Sequence, residues 1–408
     1  MSSSEITPAD STSPITEGGI ARLRERLGAY YGSGPHFIDI TADDIRRYAQ
    51  SNGDRNKLYL DQSYARHSRY GGLIAPNTFL DLAQHYTATA IGGLPGAHAF
   101  HAGNRVEFYL AVRPGDRISP TFRPYVMTEK HGKFAGRMIL VDMEILYRNQ
   151  RDELVGKAHG HVLRLSRSEA RTRGKYQAQE KEPYDDEALA RIWAAYDREV
   201  VRGGEPRYWE DVAVGDQLGP IARGPLRISE IAFRGWNGGG RLTGAGGRVL
   251  GAHFYQFEEY MKRPGYAEVD DTSGVADHPH RGHWEADFAR KIGVPGAYDI
   301  AVQRTAWLAS LVTNWAGDDG WLKNIWDEFR FFNVEGDTSW LTGEVTRKWI
   351  ERNEYLVAVD VTCTNQRGEV SAPGGATVVL PSRTGRGTVP GVRALQSERI
   401  TTTTAATR

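Results

Sequence analysis

A single cysteine, Cys363, stands in 408 residues. A disulfide framework needs pairs and a cysteine-rich zinc module needs several thiolates, so both are excluded. Cys363 lies in an alternating apolar run and reads as a small buried hydrophobe. Charge of one sign is also lacking: Lys plus Arg number 51 and Asp plus Glu number 51. No basic field draws the chain to nucleic acid or to an anionic membrane. No apolar run approaches the roughly 20 residues of a membrane span. The opening stretch MSSSEITPADSTSPITEGG has neither the basic start nor the apolar core of a secretory signal, so the expected compartment is cytoplasmic. What is present, 40% hydrophobic and 25% charged residues, is the composition of a globular protein with room for two domains.

The chain repeats itself. Arg137 to Tyr147 is followed by Asn149-Gln150-Arg151, and Tyr355 to Cys363 by Asn365-Gln366-Arg367, at an offset of 216 residues. At that offset Ile139, Val141, Met143, Ile145 and Tyr147 match Tyr355, Val357, Val359, Val361 and Cys363. Alternation with period two predicts a half-buried strand in each copy, with Asn-Gln-Arg as a turn. Another strand is expected at His161 to Leu165 and at Thr377 to Leu380. Pro114-Gly115-Asp116 and Glu335-Gly336-Asp337 read as matching turns.

Each copy also carries one helix that reads as buried. In the first, Pro76 and Asn77 open it, Gly92-Gly93 end it, and Phe79, Leu82, Ala83, Tyr86 and Ala90 share a face. In the second, Ile300 to Trp315 is apolar nearly all round, as expected of a helix wrapped by other structure. The fold class is therefore α+β, each half an antiparallel sheet curled around a central helix. The expected organisation is a flexible N-terminal segment and lead-in over 1–35, a first unit over 36–165 and a connector over 166–206. A second unit follows over 207–382, with an insertion over 238–276, and then a flexible tail over 383–408. The connector should hold an amphipathic helix, Asp185 to Val201, with Leu189, Ile192, Trp193 and Tyr196 on one side.

The first unit contains Ser51-Asn52-Gly53-Asp54-Arg55-Asn56, then Tyr59, Tyr64-Ala65-Arg66 and Gly71-Gly72-Leu73-Ile74-Ala75-Pro76. Thr41 and Asp44 form a capping-box-like start to the helix before it, with Ile45, Tyr48 and Ala49 inward. This pattern resembles the MaoC-like dehydratases and (R)-specific enoyl-CoA hydratases, whose signature is Ser-Gly-Asp-x-Asn-Pro-x-His, a spacer ending in Tyr-Ala, and a Gly-Gly-x-Ile-Ala turn. The resemblance spans roughly residues 36–165 and 207–382. It implies a tandem, or double, hotdog fold and reversible addition of water to a trans-2-enoyl thioester. That chemistry needs paired acid/base groups for two proton transfers, and fixed N–H donors for the enolate oxygen.

Carried across residue by residue, the motif places Asp54 on the family aspartate, Asn56 on the asparagine and Tyr59 on the histidine position. A tyrosine, with an ordinary pKa near 10, is a poor base there. Asp54 could equally hold a turn by bonding backbone amides. In the second unit Phe288-Ala289-Arg290 matches Tyr64-Ala65-Arg66 at an offset of 224, which puts His283 on the catalytic position. His278 stands where the aspartate belongs, Asp277 is one place further back, and His280 replaces the asparagine. The resemblance thus implies His283, Asp277 and Asp54 as catalytic candidates. It implies Asn56, Tyr59, Gly72 and Gly296 as substrate contacts, with Gly296 an oxyanion donor.

Other readings compete. His278, His280 and His283 have zinc-ligand types, but Pro279 stiffens the run, Arg281 adds a positive charge and the family needs no metal. The run from Gly238 to Gly247 lacks a preceding buried strand and a Gly-Lys-Ser/Thr ending, so a loop over the pocket is favoured over a nucleotide cradle. Phe254, Tyr255, Phe257 and Tyr260, and the late tryptophans, could fill core or shape an acyl pocket. No cofactor or metal is expected. The expected partners are an acyl-CoA or acyl-carrier thioester, and either a second copy or a hotdog partner subunit. A non-catalytic subunit that stabilises an active partner, and an acyl-CoA thioesterase, are the alternative functions.

Overall fold

The computed structural model describes residues 14–32, 38–84, 94, 97–132, 136–166, 169–170, 178–179, 181–237, 243–244, 248–249, 268–270, 272–277, 279–385 and 389–391. Its frame is one antiparallel sheet. The first half supplies β1 (Ala97–Phe108), β2 (Arg117–Gly132), β3 (Gly136–Arg148) and β4 (Leu154–Ser166). The second supplies β5 (Gln217–Arg223), β6 (Trp321–Glu328), β7 (Ser339–Glu351), β8 (Glu354–Asn365) and β9 (Val370–Val379). The order is β2-β3-β4-β1-β6-β9-β8-β7-β5, with short strands at 31–32 and 38–39 on the β2 edge. Reading outward from the β1–β6 seam, each half repeats the other, and the seam runs from Asn324 opposite Glu107 to Glu328 opposite Gly103.

The alternating residues face the core as expected. Ile139, Val141, Met143, Ile145 and Tyr147 are buried, as are Val357, Val359, Val361 and Cys363. Both turns close by the same chemistry. Asn149 Oδ1 accepts the N–H groups of Arg151 and Glu153 at 2.9 and 3.1 Å, and Asn365 Oδ1 accepts those of Arg367 and Glu369 at 3.0 Å each. The arginines reach back to Asp116 at 3.6 Å and Asp337 at 2.7 Å. Those carboxylates in turn accept the N–H of Arg113 at 2.9 Å and of Val334 at 3.0 Å. The glycine before each aspartate has positive φ, 89° at Gly115 and 95° at Gly336, where a side chain would be strained.

The strands beyond these turns are longer than the apolar pattern alone predicts, since the ladder continues past the core-facing residues. β4 begins at Leu154 and β9 at Val370. The entry helix α1 (Ala42–Ser51) has the full capping box of Thr41 and Asp44, and Ile45, Tyr48 and Ala49 are buried. It packs against its counterpart α3 (Ile228–Asn237) in the second half. The connector helix α2 (Asp186–Arg198) is capped by Asp185, shorter than the stretch expected, and buries Ile192 and Ala195. Trp193 is 52% exposed rather than packed on the inner side.

The second central helix, α5 (Ala301–Ala316), is buried on every side. In the first half, Asn77–Leu80 is a 3-10 turn that continues as a helix over Asp81–Gln84. Tyr86, Ala90 and Gly92-Gly93 lie outside the described residues, as do Phe254, Tyr255, Phe257 and Tyr260. The lead-in, expected to be flexible, holds a helix at Glu17–Arg24 with Ile20 and Leu23 buried. Part of the expected flexible tail is also docked. Gly391 bridges Leu110, and Arg69 Nη2 donates to the carbonyls of Val389 and Pro390 at 2.5 and 2.8 Å.

Candidate active site

His283 ends a 3-10 turn, Pro279–His283, just before α4 (Ala286–Lys291). Arg281 within that turn is buried, pairs with Asp270 at 3.3 Å and lies over the Phe288 ring. Buried Phe288 and Ala289 then fix the turn from behind. The His283 ring packs on the Tyr298 ring with centroids 4.1 Å apart, and its Nδ1 bonds the Tyr298 carbonyl at 2.9 Å. A carbonyl only accepts, so Nδ1–H donates and the second nitrogen, Nε2, carries the lone pair. Burial pushes the His283 pKa down to about 4, so the ring is neutral at pH 7.

Tyr298 and Asp299 lead directly into α5. Asp299 is fully buried and pairs with Arg304 at 2.8 Å, which ties the loop to the first turn of the helix. Gly296 is buried in this same loop, and the connector covers it, with Gln179 N–H donating to the Pro295 carbonyl at 3.0 Å. The backbone of Asp277 pairs with Glu268 in a short ladder. Its side chain, that of His280 and the whole of His278 lie outside the described residues.

The first-half motif is held differently. Asp54 is buried, one carboxylate oxygen accepts the Asn56 N–H at 2.9 Å, and burial pushes its pKa up to about 6. Asn56 caps the helix at Lys57–Leu60 by accepting the Leu58 N–H at 2.8 Å. Its amide donates to Asp318 at 2.9 Å, and the Tyr64 hydroxyl donates to the same carboxylate at 2.7 Å. Asp318 follows the C-terminus of α5, so the first-half motif is bolted to the second-half helix. Tyr59 is buried beside Thr313, and the space bounded by Asn56, Tyr59, Tyr70, Asp318 and Trp321 is about 20 Å³, room for a water molecule. Gly72 is half-buried in the loop before Asn77.

The two motifs thus occupy separate environments: Asp54 among Asn56, Arg223, Glu199 and Asp318, His283 among Tyr298 and Asp299. Sequence reasoning missed Asp318 and Tyr298. Neither lies in the motif, and each reaches its partner only through the fold. Among the described residues no group of three or more His, Cys, Asp or Glu side chains is placed to hold a metal ion, and no helix is long and apolar enough to cross a membrane.

A central helix in the second half, a helical segment over 77–84 in the first that packs on it, and strands mirrored about a seam define a double hotdog. A solved MaoC-like dehydratase is similar over 87% of this chain and 99% of its own, with 15% identity and a TM-score of 0.62. A putative MaoC domain protein dehydratase from Chloroflexus aurantiacus J-10-fl follows over 88% and 96%, with 15% identity and a TM-score of 0.58. A conserved Mycobacterium tuberculosis protein with a double hotdog fold is similar over 88% and 97%, with 11% identity and a TM-score of 0.51. The chain therefore has the double hotdog fold of the MaoC-like dehydratases.

Residues 28–158 match the family model described as FAS1-like, dehydratase domain region. Two UPF0336 proteins are similar to parts of the chain. One, from Streptomyces griseus, is 27% identical over 100 residues, 23% of this chain and 66% of the relative. The other, from Streptomyces avermitilis, is 28% identical over 88 residues, 20% and 59%. The chain thus spans less than two thirds of each of these relatives.

Proposed function

We propose that the chain is a hydro-lyase that adds water to, or removes it from, a trans-2-enoyl thioester, with its working site at His283 in the second half. The observation that carries this reading is the His283 geometry: Nδ1–H held by the Tyr298 carbonyl, and a ring kept neutral at pH 7. In the hydration direction His283 Nε2 takes a proton from water as its oxygen bonds the β-carbon. A second acid, for which Asp277 is the candidate because it lies one place from the motif's aspartate position, delivers a proton to the α-carbon. The loop through Gly296 into α5 is the place where backbone N–H groups would meet the thioester oxygen as charge develops. The first-half motif serves as structure in this reading. Its space is about 20 Å³, and Asp54, Asn56 and Tyr64 are engaged in holding the turn and Asp318.

The test is turnover of crotonyl-CoA and longer trans-2-enoyl thioesters, followed by loss of enoyl thioester absorbance, with the chain purified alone. His283→Ala should lower kcat/KM by about 100-fold or more. Unchanged turnover in that variant removes His283 from the mechanism. No turnover by the chain alone, with activity restored by a second hotdog chain, makes this a supporting subunit instead.

A further inference from the structure

A cleft of about 780 Å³ opens where four elements meet: the end of α1, the Arg223–Glu230 segment, the connector helix α2 and the central helix α5. That volume lies in the range of sites for small molecules, commonly about 300–1,000 Å³. Its walls are largely apolar and aromatic, with Trp193 and Tyr196 from the connector, Leu226, and Trp307 from α5. Ser229 and Glu230, which form one side, lie in α3, and α3 packs on the turn that ends in His283. Gln303, on another side, lies in the first turn of the helix that Tyr298 and Asp299 lead into. The cleft therefore shares α3 and α5 with the surroundings of His283.

Two observations define what it accepts. Gln303 is only 3% exposed, yet its Oε1 has no hydrogen-bond partner among the described residues. A buried acceptor left unmet is costly, and a ligand O–H or N–H that reached it would remove the cost. The cationic groups of the cleft are already neutralised. Arg223 makes a bidentate pair with Glu199 at 2.8 and 2.9 Å, and Arg227 pairs with Glu230 at 3.0 Å. Neither is left to bind a phosphate, so the ligand portion seated here is uncharged.

We infer that this cleft receives the acyl end of the thioester, and that this acyl group is bulky, carries a ring, and bears a hydroxyl or amide N–H that donates to Gln303. The inference rests on the hydro-lyase reading above and names its substrate class. The ring stacks between the connector and α5, against Trp193 and Trp307, and the polar substituent reaches Gln303. A short linear acyl chain would leave the cleft unfilled and Gln303 unmet.

Calorimetric titration of the full chain with saturated, unreactive thioesters tests this. The probes are 3-(4-hydroxyphenyl)propanoyl-CoA, 3-phenylpropanoyl-CoA and butanoyl-CoA. The ring-bearing pair should bind about tenfold tighter than butanoyl-CoA, and the hydroxyl should add a further several-fold. Gln303→Leu should erase the hydroxyl preference and keep the ring preference. Trp193→Ala, at the exposed rim where folding is not at stake, should weaken both ring-bearing probes about tenfold and leave butanoyl-CoA unchanged. Equal binding of all three probes, or preferences untouched by both variants, overturns the inference. Hydration of crotonyl-CoA and of trans-cinnamoyl-CoA, the enoyl form of the ring-bearing probe, measured in parallel separates the two readings. Turnover without a ring preference sinks the acyl cleft alone. A ring preference that responds to both variants, without turnover, supports the cleft and sinks the hydro-lyase.

Discussion

His283 donates through Nδ1 to a backbone carbonyl and is held near pKa 4 by burial, so at pH 7 it is already in its base form. If it is the essential base, the acid limb of kcat/KM should rise through pH 4 and be level from about pH 5.5. A break near 6.5, the ordinary histidine value, would assign the base elsewhere. Asp54 differs in kind. Its folded pKa of about 6 lies above its ordinary 3.8, so the fold disfavours its ionised form. The cost is absent below about pH 4, grows between the two values and is complete above about pH 6. Asp54→Asn keeps an acceptor for the Asn56 N–H. It should stabilise the chain by on the order of 1–3 kcal/mol at pH 8 and by little at pH 4, read from urea unfolding. Enoyl thioester turnover should survive that change, and its collapse would return the working site to the first half. His283 was legible because Phe288-Ala289-Arg290 sets its register against Tyr64-Ala65-Arg66. Tyr298, Asp318 and Gln303 were not, because each acquires its partner or its cleft only when distant elements pack.

Local chemistry dictates the elements, and this is the scale at which the sequence was most informative. The Thr41–Asp44 box starts α1 in the structure as in the pattern, and Thr41→Ala should cost about 1 kcal/mol with activity intact, measured as a drop in Tm. The paired Asn-Gln-Arg turns were legible as turns, but not their wiring, in which each arginine crosses to the aspartate of a different turn. Trp193 was misassigned to the packed side of the connector helix because helical periodicity cannot tell a core from a cleft rim. The all-round apolar character of α5 pointed to burial, and it concealed a charged pair. Arg304 and Asp299 are 2% and 0% exposed, so each neutralises the other in a dry site. Arg304→Met should destabilise the chain by about 3–5 kcal/mol, since it leaves Asp299 without its cation. Urea midpoints of the two proteins check this, and a loss below about 1 kcal/mol would mean that Asp299 is protonated in the fold.

At the scale of the whole molecule, the two halves share one sheet, and the β1–β6 seam joins them by backbone pairing as well as side-chain packing. Neither half has a complete edge without the other, because β1 and β6 would each present an unpaired row of N–H and C=O groups. The docked segment at 389–391 adds a second tie from the second half back to Arg69 and Leu110 of the first. A single cooperative unfolding transition is therefore expected. The seam also contains a titratable group. Asp327 is buried opposite Asn104, beside Thr305 and Arg304, and desolvation pushes its pKa from 3.8 up to about 6. Because the folded value is the higher one, stability is fully present below about pH 4. It falls as pH rises toward 6 and is level above, a loss on the order of 2–3 kcal/mol. Asp327→Asn removes the charge while keeping the shape. It should raise Tm at pH 8, give no gain at pH 4, and flatten the pH dependence between those values. Thermal unfolding at the two pH values decides it: an equal Tm gain at both would trace the effect to packing, and a loss at pH 8 would mean that the carboxylate stabilises the seam in its ionised form.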